Sequence, residues 1–308
     1  MYVKFWGVRG SIPTPGPKTV RYGGNTSCIE IRLESGQLLI IDAGSGIREL
    51  GNWLLANDQK KGPLKTDIFL THTHWDHIHG YPFFTPTYIK GNEFRIHGPV
   101  NYSGKLEKIF SAQMDYTYYP VKLEDAGAKV SFNELKEGTI YVGGAKVTTC
   151  YLNHPILCLG YRIEADDRVV CTVYDHEPYV NIFSTDGRLD TDEAREAQEA
   201  VDMANAKIRK HIENADLVIY DSQYHSREEL DSHRGWGHSS IEEALSDAVA
   251  ARVKRLAVFH HDPTRSDDSL DAFHLALRER VKQEGLGIIT FPAKEGLTVP
   301  LSGAPPRG

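Results

Sequence analysis

Apolar residues fall in short runs along the chain, separated by Gly, Pro, Asn and Asp, and the period changes from run to run. Residues 28–33 (CIEIRL) and 37–41 (QLLII) read as two strands joined by a turn at Glu34-Ser35-Gly36. Residues 66–71 (TDIFLT) read as a buried strand that runs into HTHWDHIHG. Strand-like runs recur at 93–97, 139–152, 157–164, 168–174, 216–220, 255–260 and 286–291. Helical periods lie between some of them. Ser239 with Glu242 reads as a capping box that opens a helix over 239–253. Leu270, Phe273, Leu277 and Val281 recur at helical spacing over 266–284, with Gly285 as the stop. Residues 190–214 read as a charged, surface-facing helix. Strands alternate with helices at both ends and hairpins fill the middle, a mixed α/β pattern with helices covering sheets. No internal repeat breaks it.

Composition narrows the class. The chain has 308 residues, of which 40 % are hydrophobic and 10 % aromatic, enough for a sizeable core and against wholesale disorder. Its 35 Lys+Arg against 42 Asp+Glu leave a net charge of −7 with no basic run, against a polybasic nucleic-acid binder. A phosphate-bearing substrate stays open, because a bound metal supplies positive charge locally. The start of the chain lacks the apolar core of a signal peptide, and no stretch approaches the roughly 18 apolar residues of a membrane span, so the expected compartment is the cytoplasm. Cys28, Cys150, Cys158 and Cys171 form no CxxC pair and read as scattered buried thiols. The end, SGAPPRG over 302–308, reads as a flexible tail.

The informative chemistry lies at 71–80, THTHWDHIHG. His72, His74, Asp76 and His77 fall within six positions just past a strand. Imidazoles and carboxylates suit Zn, Fe or Mn, and the i, i+2 spacing points two His the same way. A run of titratable groups after a buried strand has no packing reason to exist.

HTHWDH resembles the HxHxDH signature of the metallo-β-lactamase superfamily, and companion motifs follow in that family's order. Asp42 in IIDAGSG, His154 in YLNHP, Asp175 at the end of VVCTVYD and His260 in LAVFHHDP occupy the matching places. The resemblance spans nearly the whole chain. It implies a four-layer αββα sandwich, read here as one domain over 1–301 with a helical insertion near 176–214. It also implies two divalent metal ions, Zn foremost with Mn or Fe open. One would be held by His72, His74 and His154, the other by Asp76, His77 and His260, with Asp175 bridging. Asp42 would support the site without binding metal. Of the adjacent His260 and His261, the register of LAVFHHDP selects His260. His79 and His176 read as supporting or surface side chains.

Three further features resemble the phosphodiesterase branch, which includes tRNase Z and the phosphoribosyl cyclic-phosphate phosphodiesterases. These are FWGVRGSIPTPG…YGGNTSC at 5–28, with Asn25, Thr26 and Ser27 as its NTS element; DLVIYD at 216–221, with Asp221; and GHSSIEEA at 237–244, with His238. The resemblance implies attack of a metal-bridging hydroxide on phosphorus, with His238 as general acid and Asp221 orienting its imidazole. Asp76 would serve both as ligand and in catalysis.

There are departures from the branch. tRNase Z carries a Gly/Pro-rich arm between the third-motif His and the bridging Asp; here 154–175 holds only a tight hairpin. The acidic chain also lacks the basic stripe that a long RNA needs. The expectation is therefore a hydrolase of a small or cyclic phosphodiester, without a membrane or long nucleic acid as partner, and a homodimer by resemblance. The alternatives are a tRNA 3′-processing endonuclease, a thioester, lactone or β-lactam hydrolase on the same scaffold, and a non-catalytic binding module. Arg9 and Arg21 are candidates for a substrate phosphate. The tyrosines of 113–122 (QMDYTYYPVK) are read as packing residues first and as a platform for a base or sugar second.

Overall fold

A computed structural model describes residues 1–184 and 188–301; the tail expected at 302–308 lies outside the described residues. The strands form two sheets of seven. The first joins β1 (Tyr2–Gly7), β2 (Cys28–Arg32), β3 (Leu38–Ile41), β4 (Lys65–Phe69), β5 (Glu93–Pro99) and β6 (Lys129–Leu135) in that order. The second runs through β7 (Gly138–Val142), β8 (Ala145–Leu152), β9 (Cys158–Ala165), β10 (Arg168–Val173), β11 (Leu217–Asp221), β12 (Arg255–Phe259) and β13 (Ile289–Pro292). The last strand, β14 (Thr298–Pro300), returns to the first sheet and pairs with β1.

Alternating side chains divide the apolar residues into three layers. Phe5, Ile31, Ile41 and Phe69 of the first sheet pack on Leu159, Tyr161, Ile163, Ile219 and Phe259 of the second. The opposite face of the first sheet (Leu38, Ile40, Ile68, Ile96) is covered by α1 (Gly46–Asn57) and α3 (Leu106–Ala112). The opposite face of the second (Val173, Val218, Tyr220, Leu256, Val258) is covered by α4 (Asp192–His211), α6 (Ile241–Ala250) and α7 (Asp267–Gln283). This is the four-layer αββα sandwich. Two short helices, α2 (Trp75–Ile78) and α5 (Arg227–Asp231), lie in the loops at the ends of β4 and β11.

Several boundaries differ from the sequence reading. The run 139–152 is two strands, because Gly143 and Gly144 both adopt positive φ and close a hairpin between β7 and β8. The cap of α6 sits one residue later than expected: the Ser240 hydroxyl, not Ser239, accepts the N–H of Glu243. The expected helix over 190–214 is α4, which is charged and mostly exposed as read, but buries Ala194, Ile208 and His211 at its two ends. β1, β6, β14, α1 and α3 have no counterpart in the sequence reading.

Candidate metal centre

The candidate residues leave strands that all run toward one end of the sandwich. β3 and β4 are parallel neighbours in the first sheet, and β10, β11 and β12 are parallel in the second. Asp42 follows β3, His72 to His77 follow β4, His154 follows β8, Asp175 follows β10, Asp221 ends β11 and His260 follows β12. Carboxyl ends of parallel strands are where ligand sites form in such sheets. Asp42, Asp175 and His260 take left-handed backbone conformations (φ 61°, 44° and 61°), which turn each chain sharply as it leaves its strand. Non-glycine residues rarely occupy that region, and such strain concentrates at functional sites.

The side chains converge in two donor groups. His72, His74, His154 and Asp175 form one; Asp76, His77, Asp175 and His260 form the other. Asp175 belongs to both, and its two oxygens face opposite ways. Oδ2 lies 3.5 Å from His72 Nε2 and 3.9 Å from His154 Nε2. Oδ1 lies 3.3 Å from the Nε2 atoms of both His77 and His260. Asp76 Oδ2 completes the second group at 3.3 Å from each of those nitrogens. In the first group His74 Nδ1 and His154 Nε2 face each other at 3.0 Å. Tetrahedral Zn–N bonds of about 2.0–2.1 Å would place such nitrogens about 3.3 Å apart. His72 Nε2, His77 Nε2 and Asp175 Oδ1 are fully buried without a hydrogen-bond partner. Buried polar atoms are costly unless something satisfies them. Converging, unsatisfied N and O donors suit divalent cations.

The outward atoms of these side chains are held from behind. Asp42 accepts His77 Nδ1–H at 2.7 Å, the Ser27 hydroxyl at 2.9 Å, and the Thr71 backbone N–H at 2.8 Å. His154 Nδ1–H donates to the Gly237 carbonyl at 3.0 Å, and His260 Nδ1–H to Gln223 Oε1 at 3.1 Å. The backbone N–H of Ser11 donates to Asp76 Oδ2 at 2.8 Å. Such partners fix which ring nitrogen faces inward. Gly10 packs closely against the site: a Cβ there would sit 2.4 Å from the His260 ring.

The electrostatics divide the imidazoles. Burial pushes His72 well below the usual histidine range and His154 down to about 4, so both present neutral nitrogens. Burial also opposes charge on His77, but Asp175, Asp76 and Asp42 outweigh it and raise that group well above its usual range. A cation and a proton therefore compete for His77 Nε2.

A third donor group overlaps these two: Asp221 and His238 lie within reach of Asp175 and His260. His238 Nδ1–H donates to Asp221 Oδ2 at 2.9 Å. Its Nδ1 is 4.0 Å from Asp175 Oδ2, and its ring stacks on His260 with centroids 5.0 Å apart. Burial disfavours the His238 charge, yet the Asp221 carboxylate prevails and raises its pKa to about 9.

A model of the β-lactamase superfamily domain matches residues 38–261, which holds every donor above. The chain belongs to that superfamily. The ribonuclease Z of Staphylococcus carnosus is 24 % identical over 311 aligned residues, covering 91 % of this chain and 94 % of its own. Among solved structures, the metallo-β-lactamase fold protein YhfI from Bacillus subtilis superposes with a TM-score of 0.64 at 18 % identity, covering 96 % of this chain and 97 % of its own. The short form of human tRNase Z superposes with a TM-score of 0.62 at 20 % identity, covering 98 % and 99 %. As a member of the superfamily the chain is a metal-dependent hydrolase.

Other expectations for this β-lactamase-superfamily chain resolve differently. Arg9 is fully buried, and donates to the carbonyls of Gly23, Asp262 and Arg265. Arg21 is paired with Asp268 and Asp271 on α7. Neither is free for a substrate phosphate. The NTS element braces the loop after β3: Thr26 and Asn25 bond Ser45, and Ser27 bonds Asp42. Of the tyrosines in 113–122, Tyr119 turns inward to the Pro82 carbonyl, while Tyr116 and Tyr118 are exposed. His261 is buried and bonds the Ala293 carbonyl, which leaves the inward position to His260. His176 is buried and its Nδ1 accepts the Asn153 N–H, and His79 Nδ1 bonds the Trp75 carbonyl. The first turn of the insertion supplies a residue the motifs do not reveal. Glu177 Oε2 accepts the N–H groups of Gly235 and Gly237 at 2.8 and 3.1 Å, next to His238. Among the described residues no helix is long and apolar enough to cross a membrane.

Proposed function

We propose that the protein is a phosphodiesterase with two divalent metal ions, Zn foremost with Mn or Fe open, acting on a small or cyclic phosphodiester such as a cyclic nucleotide. His72, His74 and His154 would hold one ion, Asp76, His77 and His260 the other, and Asp175 both. When bound, the ions supply Lewis acidity and an activated water at neutral pH. His238 protonates the departing alkoxide from Nε2, because Asp221 keeps the proton of Nδ1 in place and stabilises the imidazolium. Asp76, fixed by the Ser11 N–H, keeps its carboxylate turned into the site.

The observation that carries this reading is the His238–Asp221 pair at 2.9 Å, next to two four-residue donor groups that do not include it. Hydrolysis of a thioester, whose thiolate departs without a proton, has no such need of a dedicated acid. A second reading, tRNA 3′-end processing, is favoured by the names of the ribonuclease Z relatives. Against it, residues between His154 and Asp175 form little more than the β9–β10 hairpin, and the chain carries a net charge of −7. Purified, metal-loaded protein should be assayed on bis(p-nitrophenyl) phosphate, 2′,3′- and 3′,5′-cyclic nucleotides, pre-tRNA, a thioester and a lactone. Turnover of the small diesters is expected. Cleavage of pre-tRNA alone, or of the carbonyl substrates alone, would overturn the reading.

A further inference from the structure

The candidate centre is almost closed to solvent. The side chains of His72, His77, His154, Asp175, Asp221 and His260 keep 2 % or less of their surface exposed. Asp76 and His238 keep 9 % and 11 %, and His74 is half-buried. What exposure the centre keeps is at His74, Asp76 and His238. The chain places a large exposed apolar residue beside each of these three. Trp75 sits between His74 and Asp76, its Cα about 3.8 Å from theirs, and is 83 % exposed. Trp236 stands two residues before His238 and is 63 % exposed. Ile12, 58 % exposed, follows the Ser11 N–H that bonds Asp76.

Tryptophan is highly buried on average, and exposed apolar surface next to a polar site marks a place where something docks. Neither indole is needed to fix the donors, which are oriented by Asp42, Gly237 and Gln223. Trp236 is steadied edge-on by the His233 ring at 5.1 Å. Every nucleobase offers a face for stacking on such rings, whatever its sequence of polar edges.

We infer that Trp75 and Trp236 form an aromatic subsite at the mouth of the centre, which takes the base of a nucleoside phosphodiester while its phosphate sits at the donors. The inference deepens the phosphodiesterase reading and rests on it. It restricts the substrate class to phosphodiesters that carry a flat aromatic ring one sugar away from the scissile bond.

The test uses two substrates with the same scissile group: adenosine 2′,3′-cyclic phosphate and the 2′,3′-cyclic phosphate of methyl riboside, which lacks the base. Metal-loaded wild-type protein should favour the adenosine substrate, mainly through KM. In Trp75→Ala and Trp236→Ala the ratio of kcat/KM between the two should fall by at least about fivefold each, the lower end expected for one lost stacking contact, and Trp→Phe should restore most of it. A ratio that does not move in either variant overturns the subsite. So does a shift in oligomeric state without a change in the ratio, since the rim would then face a second copy. If neither these two nor the other small phosphodiesters of the panel above are hydrolysed, the phosphodiesterase reading fails. The subsite is then read from quenching of tryptophan fluorescence, where adenosine monophosphate should bind the wild type more tightly than ribose 5-phosphate. Equal binding of the two refutes it.

Discussion

Glu177 and Gly237 are joined by a hydrogen bond of 3.1 Å between the buried carboxylate and the backbone N–H, 60 positions apart in sequence. The carbonyl of the same Gly237 accepts His154 Nδ1–H, and the next residue is His238. One carboxylate thus holds the N–H of a glycine whose carbonyl bonds a candidate ligand and whose next residue is the candidate acid. Gly237 allows this because its φ of 83° suits glycine, and a Cβ there would lie 2.2 Å from His154 Nδ1. Glu177→Ala should lower activity or metal affinity about 10- to 100-fold, the range for lost partners of metal-bound imidazoles. Glu177→Gln, which keeps an acceptor oxygen, should recover part of it. Steady-state kinetics with metal analysis of both variants is the check.

His238→Ala should reduce kcat by about 10²–10⁴-fold, as expected for a general acid, while leaving metal content intact. The loss should be largest for alkyl diesters, whose alkoxides need a proton, and small for a p-nitrophenyl leaving group, which departs without one. An equal loss on both would mean the residue acts otherwise.

The pH profile follows from the same group. The acid must carry its proton, and its pKa is raised to about 9, so activity should fall as pH rises through that value. Cations bound next to the imidazole would move this limb lower, because like charge disfavours the protonated form. In His238→Ala the alkaline limb should disappear. A limb that persists would assign it to another group.

Asp42→Asn keeps the shape of a side chain that accepts four groups but removes the charge facing His77 Nδ1. Metal affinity should drop about 10- to 100-fold, measured by competition with a chromophoric chelator. Unchanged affinity would show that Asp42 only holds the loop.

Gly10→Ala tests the packing of the centre from the other side. The new methyl would overlap the His260 ring at 2.4 Å, and that ring has Gln223 behind it. We expect loss of one of two bound metal equivalents in elemental analysis, with the far-UV spectrum retained.

The donors were legible because each follows a strand and each is a His or Asp in a short local motif. The motif at 72–77 needs no long-range information beyond the end of β4. What hid from the sequence is of two kinds. Glu177, Gly10 and Ser11 act through backbone N–H groups or close approach, and such contacts leave no residue-type signature. β14 is only three residues long, and it finds its partner β1 across nearly the whole chain length; β1 and α1 do carry strand and helix periods, at Val3 and Phe5 and at Ile47, Leu50 and Leu54, which the sequence reading passed over. Arg9 misled for a related reason. An arginine near a candidate phosphate site looks functional until three carbonyls and full burial claim it.

Asp42, Asp175 and His260 leave their strands in left-handed conformations that cost side chains other than glycine of order 1 kcal/mol or more each. A chain selected only to fold would carry glycine at two of these three corners. Glycine at 175 or 260 should relax the backbone while deleting a carboxylate or imidazole from the centre, whereas at 42 it would also strand the buried Ser27 hydroxyl and Thr71 N–H. Backbone ease and reactivity at the buried centre pull Asp175 and His260 in opposite directions, and a bound metal ion is what would reconcile them.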